Sequence, residues 1–224
     1  MTIIEERLAM LDTIRLAAGG HDADDGRMCV MEAAAWVAGE AWSDSPVCVS
    51  PVLAVFMRAW NDALDDEGRQ QLKAVIPRVI GTAEDGQDEA RCWLAVDWIV
   101  RVYAPAWLGL ADIADAAASL RALPELRDSA TLDAARPARE DARKQAAAAR
   151  AAAWAAARAA ARDAARAAAG AAAWDAARAA AWDAARDAAR DAAGDALAPT
   201  VAELQASALI LLDRMIDPAQ GRPA

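Results

Sequence analysis

The stretch that decides the fold covers residues 146–198 and reads AAAARAAAWAAARAAARDAARAAAGAAAWDAARAAAWDAARDAARDAAGDALA. Thirty-four of these 53 residues are alanine, the residue with the highest intrinsic helix propensity. Every fourth position from 150 to 194 interrupts the alanines with Arg, Trp or Gly. Four Asp residues also stand three positions before an Arg, a spacing that stabilises a helix by about 0.2–0.5 kcal/mol per pair. The stretch is therefore predicted to be a long helical arm.

The four-residue repeat does not match the period of the helix. Four residues turn by about 400°, so the marked positions advance about 40° around the helix at each step and form no fixed polar face. By the same geometry, Trp154 and Trp174 point about 200° apart. This pattern favours packing on several sides over a simple two-stranded coil. It leaves two arrangements open: a single rod, or a hairpin that turns at Gly170.

Large aromatic and arginine side chains on an alanine helix are candidates for intermolecular contacts. Such side chains have little to bury against locally, and Trp and Arg are enriched at protein interfaces. We predict that the following residues form an interface: Trp154, Arg158, Arg162, Arg166, Trp174, Arg178, Trp182, Arg186 and Arg190.

The remainder of the chain is also predicted to be helical, so the fold class is all-α. The first 135 residues are expected to form a compact helical domain, 136–198 the arm, and 199–224 a closing amphipathic helix with a short tail. Within the first domain, apolar spacing and caps predict helices at 2–18, 27–41, 51–64, 66–80, 88–103 and 106–121. The helix at 88–103 is expected to be the most buried. Pro105 and Pro199 are expected to mark helix boundaries.

Charge and composition restrict the expected partners and compartment. The net charge of −10 argues against nonspecific nucleic-acid binding, which requires cationic groups. Charge is uneven along the arm, however, with +5 over 136–166 and −2 over 167–198. Frequent charges in the alanine region argue against a membrane span, and an acidic N-terminus argues against a signal peptide. Three scattered cysteines predict no disulfide framework. We therefore expect a cytoplasmic protein with no membrane contact.

Chemistry, if present, is predicted to lie near the only histidine. His21 stands among acidic residues, eight positions before Cys29, and a second loop carrying Cys48 would complete a weak metal or Cys–His candidate if the loops met. The structural interpretation is an exposed loop histidine with buried thiols that only fill the core. Acidic clusters at 65–67, 84–85 and 88–89 are interpreted as helix caps. No phosphate-binding loop, nucleophile elbow or HExxH motif is present, and no cofactor is expected.

Several motifs outside the low-complexity arm suggest a relationship to known sequences. They are RMCVMEA at 27–33, WVAGE at 36–40, WND at 60–62, LAVDW at 94–98, APAWL at 104–108 and PTVAEL at 199–204. Together they resemble a family of uncharacterised proteins of actinobacteria and their phages that carry a variable alanine-rich repeat before a closing helix. The resemblance covers nearly the whole chain, and it implies no activity and no catalytic residues.

These observations predict a non-enzymatic interaction or scaffold protein. Its arm would mediate self-association, with a homo-oligomer expected, or would grip a protein partner. The alternative is an enzyme or metal-binding protein that uses His21, Cys29 and nearby acids.

Overall fold

The chain is mostly helical, as the sequence predicts. The computed structural model describes the backbone of residues 3–168 and 175–218, and the side chains of the same ranges except 153–154, 156–168 and 175–193. Among these residues there is no strand, only an isolated parallel bridge between Leu16 and Met28. The helices are α1 (Glu5–Met10), α2 (Val30–Ala38), α3 (Pro51–Ala63), α4 (Asp66–Gln70), α5 (Ile76–Val79), α6 (Asp88–Trp98), α7 (Ala104–Leu110), α8 (Ala114–Arg121), α9 (Ser129–Ala134), α10 (Arg136–Ala168) and α11 (Asp175–Ile216).

The chain divides into two compact units. The first comprises Met1–Ala95 with Ile210–Ala224, and the second comprises Val96–Leu209. The domain boundaries expected from the sequence, 135/136 and 198/199, stay predictions. The first part of α10 contributes Ala142 to the core of the second unit, so the arm begins within a compact unit and not beyond it.

The core of the first unit is built around α2. Seven of its nine residues are buried, and the helix contacts both α3 and α5. The prediction that 88–103 is the most buried helix is wrong, because the fully buried side chain of α6 in this unit is Arg91 and most of its apolar residues are only half-buried. Ala33, Ala34 and Ala35 are completely buried, and their small side chains allow neighbouring helices to pack closely on α2.

Local signals fix the beginnings of two helices in the first unit. The Ser50 hydroxyl accepts a hydrogen bond from the Leu53 backbone N–H, and Pro51 occupies the first turn of α3, as predicted from the sequence. Helix α1 is shorter than the predicted 2–18: it ends at Met10, and a 3₁₀ turn follows at Leu11–Thr13. The helix does not continue to residue 18 because the buried Leu16 is extended and forms a bridge with Met28, just before α2.

In the second unit, the prediction that Pro105 breaks the chain is wrong. A π-helical turn at Ile99–Tyr103 leads directly into α7, whose first turn holds Pro105. Proline lacks the N–H of the ordinary helical ladder, and a wider π turn accommodates the change in hydrogen bonding. Asp97, just before this turn, is buried and accepts hydrogen bonds from Arg101 Nε at 2.6 Å and from the Leu126 N–H at 2.8 Å.

Helix α11 runs through Pro199, so the helix boundary predicted there is also absent. Pro199 removes the N–H that would bond to the Asp195 carbonyl, but residues 194–199 are exposed, so water can satisfy that oxygen. The following turns bury Leu204, Ala208 and Leu211, and this packing stabilises the helix beyond the proline. Gly170 lies outside the described residues, so the choice between rod and hairpin stays open.

One helical stretch in the described part of the chain satisfies the length and composition of a membrane span. Gly194–Ile216 has 23 residues and a mean hydropathy of 1.3 over its most apolar window, which differs from the sequence-based expectation. Only 22% of that window is buried, and Leu204, Leu212 and Met215 are among the buried residues of the stretch.

Candidate functional site

The predicted His21 region is a buried polar cluster organised by Glu32. The two side chains are 3% and 2% exposed, and His21 Nδ1 lies 3.1 Å from Glu32 Oε2. The carboxylate also accepts the backbone N–H groups of His21 and Cys29, each at 2.6 Å. The Trp42 indole closes the cluster by donating to the His21 carbonyl at 2.6 Å. The expectation that His21 is an exposed loop residue is therefore wrong.

Glu32 has this position because it belongs to a capping box. Cys29 is the N-cap of α2, its Sγ accepts the Glu32 N–H at 3.5 Å, and Glu32 reaches back to the Cys29 N–H. The motif satisfies two of the amide donors that every helix N-terminus leaves without an intrahelical partner. The sequence shows Cys in place of the usual Ser or Thr, which concealed the signal.

A second pair of polar residues extends the cluster towards α3. Asn61 is completely buried, accepts from the Val30 N–H at 3.2 Å and donates to the Ala17 carbonyl at 2.9 Å. Asp62 accepts the Gly19 N–H at 2.8 Å, and this hydrogen bond lowers the pKa of the Asp62 carboxyl. These two side chains of α3 therefore hold the irregular segment before α2, and the first residue of α2, against α3.

The two buried thiols are poorly suited to nucleophilic chemistry. Burial raises the pKa of Cys29 to about 11, and burial together with the Glu40 carboxylate raises the pKa of Cys48 to about 12. A thiol attacks as its thiolate, which is scarce at neutral pH when the pKa is this high. Both cysteines are free and buried, as the structural interpretation of the thiols predicts.

The structure brings together only part of the predicted metal candidate. His21 and the Cys29 backbone meet at Glu32, whereas Cys48 contacts Glu40, and its carbonyl accepts the Gly81 N–H at 2.9 Å. Within residues 3–168 and 175–218, no group of three or more His, Cys, Asp or Glu side chains is arranged to hold a metal ion.

The acidic clusters have structural roles. Asp65 caps α4 by accepting the Gly68 N–H at 2.7 Å, as predicted. Asp85 and Asp88 both contact the guanidinium of Arg91, whose side chain is fully buried. Arg91 in turn donates to the Met215 carbonyl at 2.9 Å and so holds the end of α11 within the first unit.

The second unit carries an open apolar groove that sequence reasoning missed. It has a volume of about 850 Å³ and is lined by the π turn at Ile99–Tyr103, by α7 and α8, and by the segment 139–150 of α10. Ile99 and Tyr103 are 50% and 41% exposed. Exposed apolar surface of this kind is typical of binding sites. The residues come from four elements, so no single stretch of sequence carried the signal.

Two nitrogen donors in side chains that line the groove have no hydrogen-bond partner among the described residues. They are Trp107 Nε1 and Arg139 Nε, and both atoms are buried. Leaving such a donor unsatisfied costs about 1–3 kcal/mol. This deficit contrasts with the fully bonded Glu32 carboxylate.

The predicted interface residues of the arm lie outside the described side chains. They are Trp154, Arg158, Arg162, Arg166, Trp174, Arg178, Trp182, Arg186 and Arg190, so their contacts stay predictions. The groove is nevertheless built partly from the same helix, α10, just before the first of them.

No family model, curated protein or solved structure matches the chain. The family resemblance stated from the sequence motifs therefore stays a prediction.

Proposed function

We propose that this chain is a non-catalytic interaction protein of the cytoplasm that associates with protein surfaces, its own or a partner's, through the alanine-rich arm and the groove at its base. The observation that carries the proposal is the open apolar groove in the second unit, one wall of which is the beginning of α10. An exposed groove of this composition favours a bound helix or peptide over an aqueous reaction.

The Glu32 cluster supports the same proposal by offering little to an enzyme. Its carboxylate already accepts two backbone donors and contacts the histidine, and the neighbouring thiol is protonated at neutral pH. A general base or nucleophile needs accessible, suitably ionised groups. The alternative of an enzyme or metal-binding protein therefore has less support than a binding function.

The experiment compares the molar mass of the full chain with that of the triple variant Trp154→Ala/Trp174→Ala/Trp182→Ala. Light scattering over a range of concentrations should give a multiple of 23.5 kDa for the wild type and a smaller mass for the variant, because the predicted anchors are gone. Circular dichroism confirms that the helices are retained.

A matched control removes apolar surface elsewhere. Val47 and Val55 are 79% and 59% exposed, so Val47→Ala/Val55→Ala should leave the mass unchanged. If the wild type is a monomer at every concentration, and neither it nor the triple variant retains any protein in affinity capture, the proposed function is wrong.

A further inference from the structure

The groove combines a small-residue wall with a row of arginines. Ala142, Ala146 and Ala149 lie on one face of α10 at i, i+4 and i+7, and they line the groove with the aromatic residues of the opposite wall. Alanine side chains allow a second helix to approach closely, since the distance between helices depends on the side chains at the contact. The wall therefore suits a helix that is itself rich in alanine.

Arginines flank this alanine face. Arg139, Arg143 and Arg150 all line the groove, and the last two are exposed. Arg139 and Arg150 have no acidic residue three or four positions away in the sequence, so their helix offers them no counter-charge. The groove is thus apolar at its base and positive along one side.

The arm contains a row of the opposite sign. Asp187, Asp191 and Asp195 follow one another at intervals of four residues in α11. Like charges at this spacing destabilise a helix, and neither Asp191 nor Asp195 has a basic residue three or four positions away. Alanines flank this acidic row, so a positively charged surface that approached it would relieve the repulsion between its carboxylates.

We propose that the acidic row of a second copy of this chain, Asp187–Asp195, lies in the groove with its carboxylates against the arginines. The inference rests on the proposed function and names the partner of its groove. Spacing supports the pairing: Arg143 and Arg150 are about 10 Å apart along their helix axis, and Asp187 and Asp195 are about 12 Å apart along theirs. Opposite charges at matched intervals set the register of two helices.

The size of the groove also suits this occupant. Residues 139–150, which form the α10 side of the groove, extend over about 16 Å at 1.5 Å per residue. Asp187–Asp195 covers about 12 Å at 1.5 Å per residue. In a two-fold dimer the row of each copy would lie in the groove of the other, so both contacts would form together.

The test is a charge exchange in the full chain. The groove variant is Arg143→Glu/Arg150→Glu, and the row variant is Asp191→Arg/Asp195→Arg. Each alone places like charges in both contacts, and sedimentation equilibrium should show dimer affinity reduced by on the order of 10–100-fold. An equimolar mixture of the two variants restores opposite charges in both contacts, so a heterodimer of near wild-type affinity is expected.

Matched controls change the same charge elsewhere on the same helices. Arg136→Glu/Lys144→Glu lies on α10 but does not line the groove, and Glu203→Arg lies at an exposed position of α11 outside the row. Both should dimerise as the wild type does. Weakening by these controls equal to that of the test variants would overturn the inference, since net charge alone would then explain the effect.

Other occupants give different results. If both variants lose association and the mixture does not restore it, while one chain carrying both changes does, the row occupies the groove of its own chain and the inference is overturned. It is likewise overturned if both variants dimerise normally. In that case dodecanoate serves as a probe for a small apolar ligand: if it changes the tryptophan fluorescence of the wild type but not of the groove variant, such a ligand occupies the groove. If the tryptophan substitutions weaken the dimer but the charge substitutions do not change its affinity, the inference is overturned and the proposed function stands.

Discussion

The Glu32 cluster and the α10 groove differ in how completely their polar groups are bonded. Glu32 accepts two backbone N–H groups and contacts His21 in a site closed to solvent. The groove is open, and two donors in its lining side chains have no partner among the described residues. Buried polar groups with all partners in place stabilise one structure, whereas unmet donors beside exposed apolar surface indicate a place for another molecule. We therefore expect the Glu32 cluster to contribute to stability, whereas the groove is where we propose that another molecule binds.

The strongest test of this comparison is Glu32→Ala. The substitution leaves the His21 and Cys29 N–H groups and the imidazole without their acceptor, and we expect the free energy of unfolding to fall by about 3–5 kcal/mol. Urea denaturation followed by circular dichroism measures the change. Glu89→Ala, at an exposed position of α6, is the control and should change stability by no more than about 0.5 kcal/mol. A loss below about 1 kcal/mol for Glu32→Ala would mean that the cluster is not structural.

Much of the helical architecture follows from the sequence, and the exceptions have physical causes. The cap and proline at Ser50–Pro51 predicted the start of α3 because both act within one turn of the chain. The helix boundaries predicted at Pro105 and Pro199 are absent. A π turn compensates for the lost hydrogen bond at Pro105, and hydration together with packing further along the helix compensates at Pro199. Such compensation depends on the neighbours in space, which a local pattern does not contain.

The candidate sites show the same limit. The sequence offers His21 and Cys29 only as a weak candidate pair, and it does not show that the Glu32 carboxylate joins them, because Cys replaces the usual Ser or Thr of a capping box. The groove was not predicted at all, because residues as far apart as Ile99 and Arg150 form it. Its alanines look identical, in sequence, to those further along the arm.

Thiol reactivity tests whether the Glu32 cluster is closed to reagents. With a pKa near 11, Cys29 has about 100-fold less thiolate at pH 7.5 than a thiol at 9.0, and burial slows its reaction further. In the native protein we expect iodoacetamide to modify exposed Cys92 well before Cys29 and Cys48, as measured by mass spectrometry of peptides. All three should react at similar rates in 8 M urea. Rapid native labelling of Cys29 would return the enzyme alternative to consideration.

Asp85, which pairs with the buried Arg91, provides a smaller, pH-dependent test of polar contacts in the first unit. Its hydrogen bond from Arg91 lowers the pKa of the carboxyl in the folded state. A lowered folded pKa contributes stability above the unfolded value of about 3.9, and that contribution is lost as pH falls through the folded value. The wild type should therefore be more stable than Asp85→Asn at pH 7, and the difference should shrink below pH 4. Urea titrations from pH 3 to 7 measure it; a difference independent of pH would show that the ion pair has no such role.

The finest distinction concerns single hydrogen bonds within the second unit. Trp98 Nε1 donates to Ser207 Oγ at 3.0 Å, whereas Trp107 Nε1 is buried without a partner in the described part of the chain. The substitutions Trp98→Phe and Trp107→Phe remove the same atoms, but only the first loses a hydrogen bond, and the second removes an unmet donor. We expect Trp98→Phe to destabilise the protein by about 1 kcal/mol more than Trp107→Phe in urea denaturation. Equal losses would mean that Trp107 Nε1 is satisfied in solution, and the groove would then lose one of the two donors that distinguish it from the Glu32 cluster.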